Sequence, residues 1–156
     1  MSNQLLYISD GCPIVGPLSI GLPQADNVLY LATEMPTLPA ANSHYEWITA
    51  FIDENGNHWR KILVILAKLT APDDNWRDYL YQQLLYQQRI VLSTQLVPSA
   101  KRHLIAGKSN WARFNWHDNI GLPNRVWHQN QLLLPYPDYR QFPNWLIAQV
   151  RTELYG

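Results

Sequence analysis

The apolar positions of this chain fall into two patterns: short unbroken runs and stripes at helical spacing. Short apolar or β-branched runs predict strands that are buried on both faces. Such runs occupy residues 28–32, 90–94, 103–106 and 131–134. Stripes that recur every three or four residues predict helices with one buried side. They cover residues 47–52, 59–69, 76–88 and 146–154.

Local signals place the ends of several helices. Ser43 and Glu46 form a capping box, in which the serine oxygen accepts from the backbone N–H of Glu46. Gly56 stands where a helix ends in a left-handed conformation, and Pro143 suits the first position of the last helix. The side chains expected to be nearly fully buried are Leu29, Leu31, Ile62, Leu66, Ile105 and Leu133.

Strands that alternate with helices predict an α/β fold. We expect a single domain, residues 1–156, built on a mainly parallel four-stranded sheet with helices on both faces. The length of 156 residues fits one such domain with a core of its own. Residues 1–26 are interrupted by glycine and proline and are predicted to be irregular, apart from a short edge strand at residues 5–8.

Composition narrows the function classes. The formal net charge is zero, which disfavours strong salt-driven binding of nucleic acid but is compatible with a local basic groove. The single cysteine, Cys12, excludes an internal disulfide and a cysteine-rich zinc site. The five histidines lack the spacing of metal ligands, and His103 is interpreted as a core histidine. Neither a metal nor a cofactor is expected.

Targeting signals are not evident in the chain. It has no apolar run of about 18 residues, the length that a membrane-spanning helix needs. The first four residues, Met-Ser-Asn-Gln, lack the basic segment that opens a signal peptide. A soluble cytoplasmic protein without a membrane contact is therefore expected.

Ligands of parallel sheets bind beyond the carboxyl ends of the strands, and three such ends carry polar residues. Parallel strands share a direction, so the loops that leave these ends are expected to face one another. The candidate site residues are Glu34, Lys108, Ser109, Tyr136, Asp138 and Arg140. Arg102 stands where a P-loop needs its first glycine, which excludes a nucleotide-triphosphate loop at Gly107.

Each candidate has a functional interpretation. Lys108 and the N–H groups from Gly107 to Ser109 would hold a phosphate, and Tyr136 would stack on a base. Asp138 would position Arg140 or bind the ligand directly. Glu34 would be the catalytic acid that orients a water molecule.

The same residues also have simpler structural interpretations, which the sequence leaves open. The segment from Gly107 to Ser109 also fits a plain turn that begins a helix. Glu34 also fits a solvated loop acid, and Asp138 also fits a turn cap that pairs with Arg140.

The order of elements resembles the uracil-DNA glycosylase superfamily. That family has a first strand that ends in a catalytic loop, an aromatic helix soon after it, a strand ending in Gly-Lys before a helix with a tryptophan, and a proline-rich loop before a terminal helix. The corresponding segments are residues 28–36, 45–47, 103–111, 134–138 and 143–154. The resemblance implies an α/β fold, a nucleic acid or nucleobase partner, and a hydrolase of the glycosylase type.

Two motifs of that family are replaced in this chain. Residues 32–36, Ala-Thr-Glu-Met-Pro, stand in place of Gly-x-Asp/Asn-Pro, and residues 135–137, Pro-Tyr-Pro, stand in place of His-Pro-Ser. Both are catalytic positions, so the resemblance implies binding of a nucleobase or DNA with activity lost or altered. Such proteins flip a base into an aromatic pocket, for which Tyr136, Trp111 and Tyr45 are the candidate walls.

Two other functions stay open at this stage. Seven tryptophans and nine tyrosines favour a non-enzymatic protein-interaction domain if several of them form a surface patch. A small-molecule enzyme on the same scaffold is the third, because a fold does not fix a function.

Overall fold

The computed structural model describes residues 12–116 and 126–155, so the edge strand predicted at residues 5–8 lies outside the described residues. The strands are β1 (Val15–Gly16), β2 (Ser19–Gly21), β3 (Asn27–Tyr30), β4 (Gln88–Val91), β5 (Arg102–Ala106), β6 (Val126–His128) and β7 (Gln131–Leu134). The helices are α1 (His44–Thr70), α2 (Trp76–Gln82), α3 (Lys108–Arg113) and α4 (Asn144–Tyr155).

The described strands form one mixed sheet in the order β1-β2-β4-β3-β5-β7-β6. The four central strands, β4, β3, β5 and β7, are the segments that the apolar runs predict, and they pair in parallel. The outer pairs, β1 with β2, β2 with β4 and β6 with β7, are antiparallel. Consequently the carboxyl ends of the four central strands lie on one edge of the sheet, called here the carboxyl edge.

The predicted fold class is therefore wrong: the described residues form a mixed sheet of seven strands instead of four, and three of the six pairings among these strands are antiparallel. The additional strands are only two or three residues long, too short for an apolar run to reveal them. Two of them lie in the segment predicted to be irregular, where Gly21 has a φ of 115° and its N–H donates to the carbonyl of Ile14. The backbone of Gly21 also lies close to Gln88 of β4. A Cβ at position 21 would lie 2.2 Å from the Gln88 carbonyl oxygen, so only glycine fits there.

The two faces of the sheet are covered differently. Alternate residues of each strand point to opposite faces, so Leu29 and Leu31 pack with α1, α2 and α4, whereas Val28 and Tyr30 pack on the other side. That second side is covered by the short helix α3, through Trp111, and by loop residues. The helices are therefore divided unevenly: three of the described helices share one face, and only the short α3 packs on the other. All six predicted core residues are buried, with exposures of 3% or less.

Helix α1 is two helical segments joined at Gly56, whose φ of 80° and ψ of −168° interrupt the helix as the sequence predicts. The Ser43 oxygen accepts from the Glu46 N–H at 3.2 Å, as expected for the cap. The helix predicted for residues 76–88 is wrong in length, because α2 ends at Gln82. Leu84 and Leu85 are instead buried in a turn, in which Leu85 has a φ of 75°.

The described residues contain no helix that is both long and apolar enough to cross a membrane.

Candidate functional site

Tyr136 is the point at which the loops of the carboxyl edge meet. It follows β7, and its ring packs directly on Gly107, the residue between β5 and α3: a Cβ at Gly107 would lie 3.2 Å from the Cδ1 atom of Tyr136. Gly107 has a φ of 90°, and its N–H donates to the carbonyl of Leu134 at 2.8 Å. The absence of a side chain at position 107 therefore lets the aromatic ring lie against the backbone.

The hydroxyl of Tyr136 reaches two further elements. It lies 2.7 Å from Nε2 of His58, on the second segment of α1. Burial raises the pKa of the Tyr136 phenol, and a hydrogen bond with the Thr33 side chain, in the loop after β3, lowers it in part. The Tyr136 and His58 rings are nearly parallel, at 7°, with centroids 5.7 Å apart. With a hydrogen bond between their polar atoms, the rings lie beside each other instead of being stacked face to face.

Asp138 lies among positive groups. Its carboxylate accepts from the backbone N–H of Arg140 at 3.0 Å, and this bond is the main cause of its lowered pKa. Desolvation opposes this effect, and the charges of Lys61, Arg140 and His58 each lower the pKa by a lesser amount. We call His58, Lys61, Tyr136, Asp138 and Arg140 the edge cluster. It groups two basic side chains and a histidine in the neighbourhood of one carboxylate, an arrangement suited to an anionic ligand.

Lys68 fixes the loop that carries the edge cluster. Its Nζ lies 2.9 Å from the Tyr139 hydroxyl and 3.0 Å from Oδ1 of Asn144, the first residue of α4. The same ammonium lies 4.9 Å from the ring centroids of Trp76 and Tyr139. Cations are attracted to aromatic faces at this range. Lys68 therefore ties α1 to α2, to α4 and to the loop between Tyr136 and Asn144.

The structure brings together only part of the predicted site. Tyr136, Asp138 and Arg140 lie in the edge cluster, where the Asp138 carboxylate accepts from the backbone N–H of Arg140. Glu34 is exposed beside Thr33, and Lys108 and Ser109 are exposed on the first turn of α3. Within residues 12–116 and 126–155, the side chains of these three residues form no hydrogen bond, ion pair or ring contact. Gly107, the residue that precedes α3, likewise provides no side-chain cap.

The predicted aromatic pocket is not formed. Trp111 is buried on the opposite face of the sheet, where its indole N–H donates to the carbonyls of Ile105 and Leu134. Tyr45 is exposed and packs on Tyr81, with centroids 5.1 Å apart. Trp111 thus reaches the ends of β5 and β7 from the opposite face of the sheet, whereas Tyr136 packs on Gly107, so the three rings do not wall one pocket.

Sequence reasoning missed His58, Lys61 and Thr33. A signal for the first two was present in the glycine break at Gly56. A helix that restarts after this glycine begins at the carboxyl edge, since the chain must next run back to the amino end of β4. Two basic side chains at an interval of three residues then lie on one side of the new helix. The signal for Thr33 was its position in the predicted loop, directly before the candidate Glu34.

A surface depression lies at the opposite edge of the sheet, between the end of α1 and the last turns of α4. Its volume is about 600 Å³, and it is lined by Ala71, Pro72, Ala148, Arg151, Thr152 and Tyr155. Arg102, the first residue of β5, acts on the pKa of Tyr155, which places this depression at the amino edge. In the described parts of the chain, no group of three or more His, Cys, Asp or Glu side chains is arranged to hold a metal ion.

Residues 18–155 match the family described as "Family of unknown function (DUF6942)", and the chain belongs to that family. Neither the curated proteins nor the solved structures contain a match to this chain.

Proposed function

We propose that this chain binds nucleic acid at the carboxyl edge of its sheet, through the edge cluster, without releasing a base. The observation that carries the proposal is the convergence of His58, Lys61 and Arg140 around Asp138. Basic side chains grouped at one edge supply an electrostatic site for phosphates even in a chain of zero net charge. The resemblance to the uracil-DNA glycosylase superfamily supports the same class of ligand.

Binding is favoured over glycosylase-type hydrolysis by the surroundings of the single acid expected to orient water. Glu34 is exposed and, in the part of the chain that the structure describes, forms no polar contact that would fix its carboxylate. A catalytic carboxylate must be held within hydrogen-bond reach of the reacting water. The replacement of both family motifs at catalytic positions agrees with a loss of base release.

The test is binding of a short DNA that carries uracil or an abasic site, measured at two salt concentrations. Lys61→Ala and Arg140→Ala are each expected to weaken binding in all sequences and to lower the salt slope by about one. Lys101→Ala is the matched control: it removes the same charge at the amino edge, where Lys101 lies 3.6 Å from Asp26.

Equal binding by the wild type and by both edge variants would overturn the proposal, as would a lack of binding altogether. Lys108→Ala is expected to weaken binding as well if Lys108 contacts a phosphate, and unchanged binding would exclude that role of Lys108. Release of uracil by the wild type, and its loss in Glu34→Gln, would replace binding alone with a hydrolase.

A protein-interaction domain is the second candidate, favoured by one observation. Tyr45 is 60% exposed and packs on Tyr81, so that α1 and α2 present an aromatic pair to solvent. Tyrosine is enriched where protein partners bind. Copurification of a protein that Tyr45→Ala releases and Lys61→Ala retains would support this candidate.

A further inference from the structure

Trp145 is a large aromatic side chain that is more than half exposed. Its indole is 56% exposed on the first turn of α4. Helical spacing explains its direction: Leu146, Ile147, Val150 and Leu154 form the buried side of α4, which leaves Trp145 outside. Within residues 12–116 and 126–155, the indole makes no hydrogen bond, ring contact or cation contact. Tryptophan is enriched at interfaces because it offers a large apolar face together with an N–H donor.

The position of Trp145 relative to the edge cluster follows from Lys68. Lys68 bonds to Asn144, the residue directly before Trp145, and to Tyr139, which lies between Asp138 and Arg140. Lys68 follows Lys61 by seven residues of α1, a rise of roughly 10 Å. Trp145 is therefore held close to the edge cluster, within the reach of a short strand of nucleic acid.

We infer that Trp145 is a stacking platform for an unpaired base of single-stranded nucleic acid, whose phosphates meet Lys61 and Arg140. This inference rests on the proposed function. Exposed aromatic rings interleaved with cations are the recurring features of single-strand binding surfaces, because every base offers a flat face. In a duplex the faces of the bases are stacked on one another and are not available to the indole. Arg140, five residues before Trp145 in the chain, and Lys61 supply positive charge in the same region of the surface, which favours a nucleic acid over an apolar protein partner.

The test compares an oligothymidylate of about ten nucleotides with a duplex of the same length, each titrated against the full chain. Trp145→Ala is expected to weaken binding of the oligothymidylate by roughly 5- to 140-fold and to leave duplex binding nearly unchanged. Trp145→Phe keeps an aromatic face and is expected to retain most of the affinity. Tyr45→Ala is the control, because it removes an exposed ring elsewhere on the surface. Far-ultraviolet circular dichroism of each variant verifies that it is folded.

The outcomes separate the inference from the proposed function. If Lys61→Ala weakens binding and Trp145→Ala does not, the inference fails and the proposed function stands. If the wild type binds neither nucleic acid, both fail. Equal losses of single-strand and duplex affinity in Trp145→Ala also overturn the inference. So does a concentration-dependent dimer, seen by sedimentation, that Trp145→Ala abolishes, because the indole would then contact a second copy of the chain.

Discussion

The hydroxyl of Tyr136 lies 2.7 Å from Nε2 of His58, although the two residues are 78 positions apart in the sequence. Tyr136 follows the last central strand, and His58 follows the glycine that interrupts α1. Their hydrogen bond therefore ties the loop that leads into α4 to the helix that crosses the sheet. Because Tyr136 also packs on Gly107, the geometry of the edge cluster depends on three elements that are distant in sequence.

The first prediction concerns that hydrogen bond. Tyr136→Phe removes the hydroxyl and keeps the packing against Gly107, so the free energy of unfolding should fall by about 0.5–1.5 kcal/mol. His58→Ala should cost a similar amount, and the double variant should cost clearly less than the sum of the two. Urea denaturation of the four proteins measures the coupling. Strictly additive losses would show that the bond contributes nothing to stability.

The second prediction compares two glycines with left-handed backbones. Gly56 has a φ of 80° and open space where a Cβ would stand, whereas a Cβ at Gly107 would press on the Tyr136 ring at 3.2 Å. Gly56→Ala should therefore cost only the conformational strain, about 1–3 kcal/mol, because a φ of 80° with a ψ of −168° is a conformation that essentially only glycine adopts. Gly107→Ala should cost more, because the ring must also move, and it should weaken ligand binding as well. Equal losses in chemical denaturation would contradict the tight contact between Gly107 and Tyr136.

Much of the central sheet was predictable because its physical cause is local. Strands buried on both faces need unbroken apolar runs, and the runs near residues 28, 90, 103 and 131 each gave a strand within a few residues of the predicted position. The cap at Ser43 and the break at Gly56 follow from the chemistry of single residues. The six expected core residues are buried for the same reason as the strands they lie on or face.

The rest depends on contacts that a linear pattern does not carry. Strands β1 and β6 each pair with the next strand across a two-residue turn, and β2 pairs with β4, which is distant in sequence. All three strands are only two or three residues long, so their own side chains hardly mark them. The end of α2 is set by the side chain of Gln88, which accepts from the Leu85 N–H across a buried turn. In the site, Tyr136 and Asp138 could be predicted because ligands of parallel sheets bind beyond the carboxyl ends of the strands. His58 and Lys61 did not, because their place depends on the direction in which α1 restarts after Gly56.

The third prediction concerns acid stability and His44. This histidine is 6% exposed, and neither ring nitrogen has a hydrogen-bond partner among the described residues. Burial lowers its pKa from 6.5 to about 4, against a smaller opposite effect of the nearby Leu84 and Leu80 carbonyls. Between these two pKa values the unfolded chain binds a proton that the folded chain does not. Stability should therefore be complete above pH 6.5 and fall by up to ~3 kcal/mol as the pH approaches 4.

The matching variant for this prediction is His44→Leu, which cannot bind the proton in either state. Its free energy of unfolding should fall less between pH 6.5 and pH 4 than that of the wild type. Above pH 7 the difference in free energy of unfolding between the two proteins should be constant. Some dependence on pH should persist, because burial lowers the pKa of His103 too. Urea titrations at a series of pH values provide the comparison, and identical profiles would exclude a buried neutral His44.

The last prediction concerns Lys68, whose ammonium contacts α2, α4 and the loop of the edge cluster. Lys68→Met keeps most of the apolar stem and removes the charge, so it loses two cation–aromatic contacts and two hydrogen bonds. A loss of about 1–3 kcal/mol in the free energy of unfolding is expected. Lys101→Met is the control and should change stability by less than about 1 kcal/mol, because its ion pair with Asp26 is exposed. Lys68→Met should also weaken ligand binding, because Tyr139 loses its hydrogen bond to α1 and the neighbouring Asp138 and Arg140 are then held less firmly. If both lysine variants unfold at the same urea concentration, Lys68 does not fix this loop.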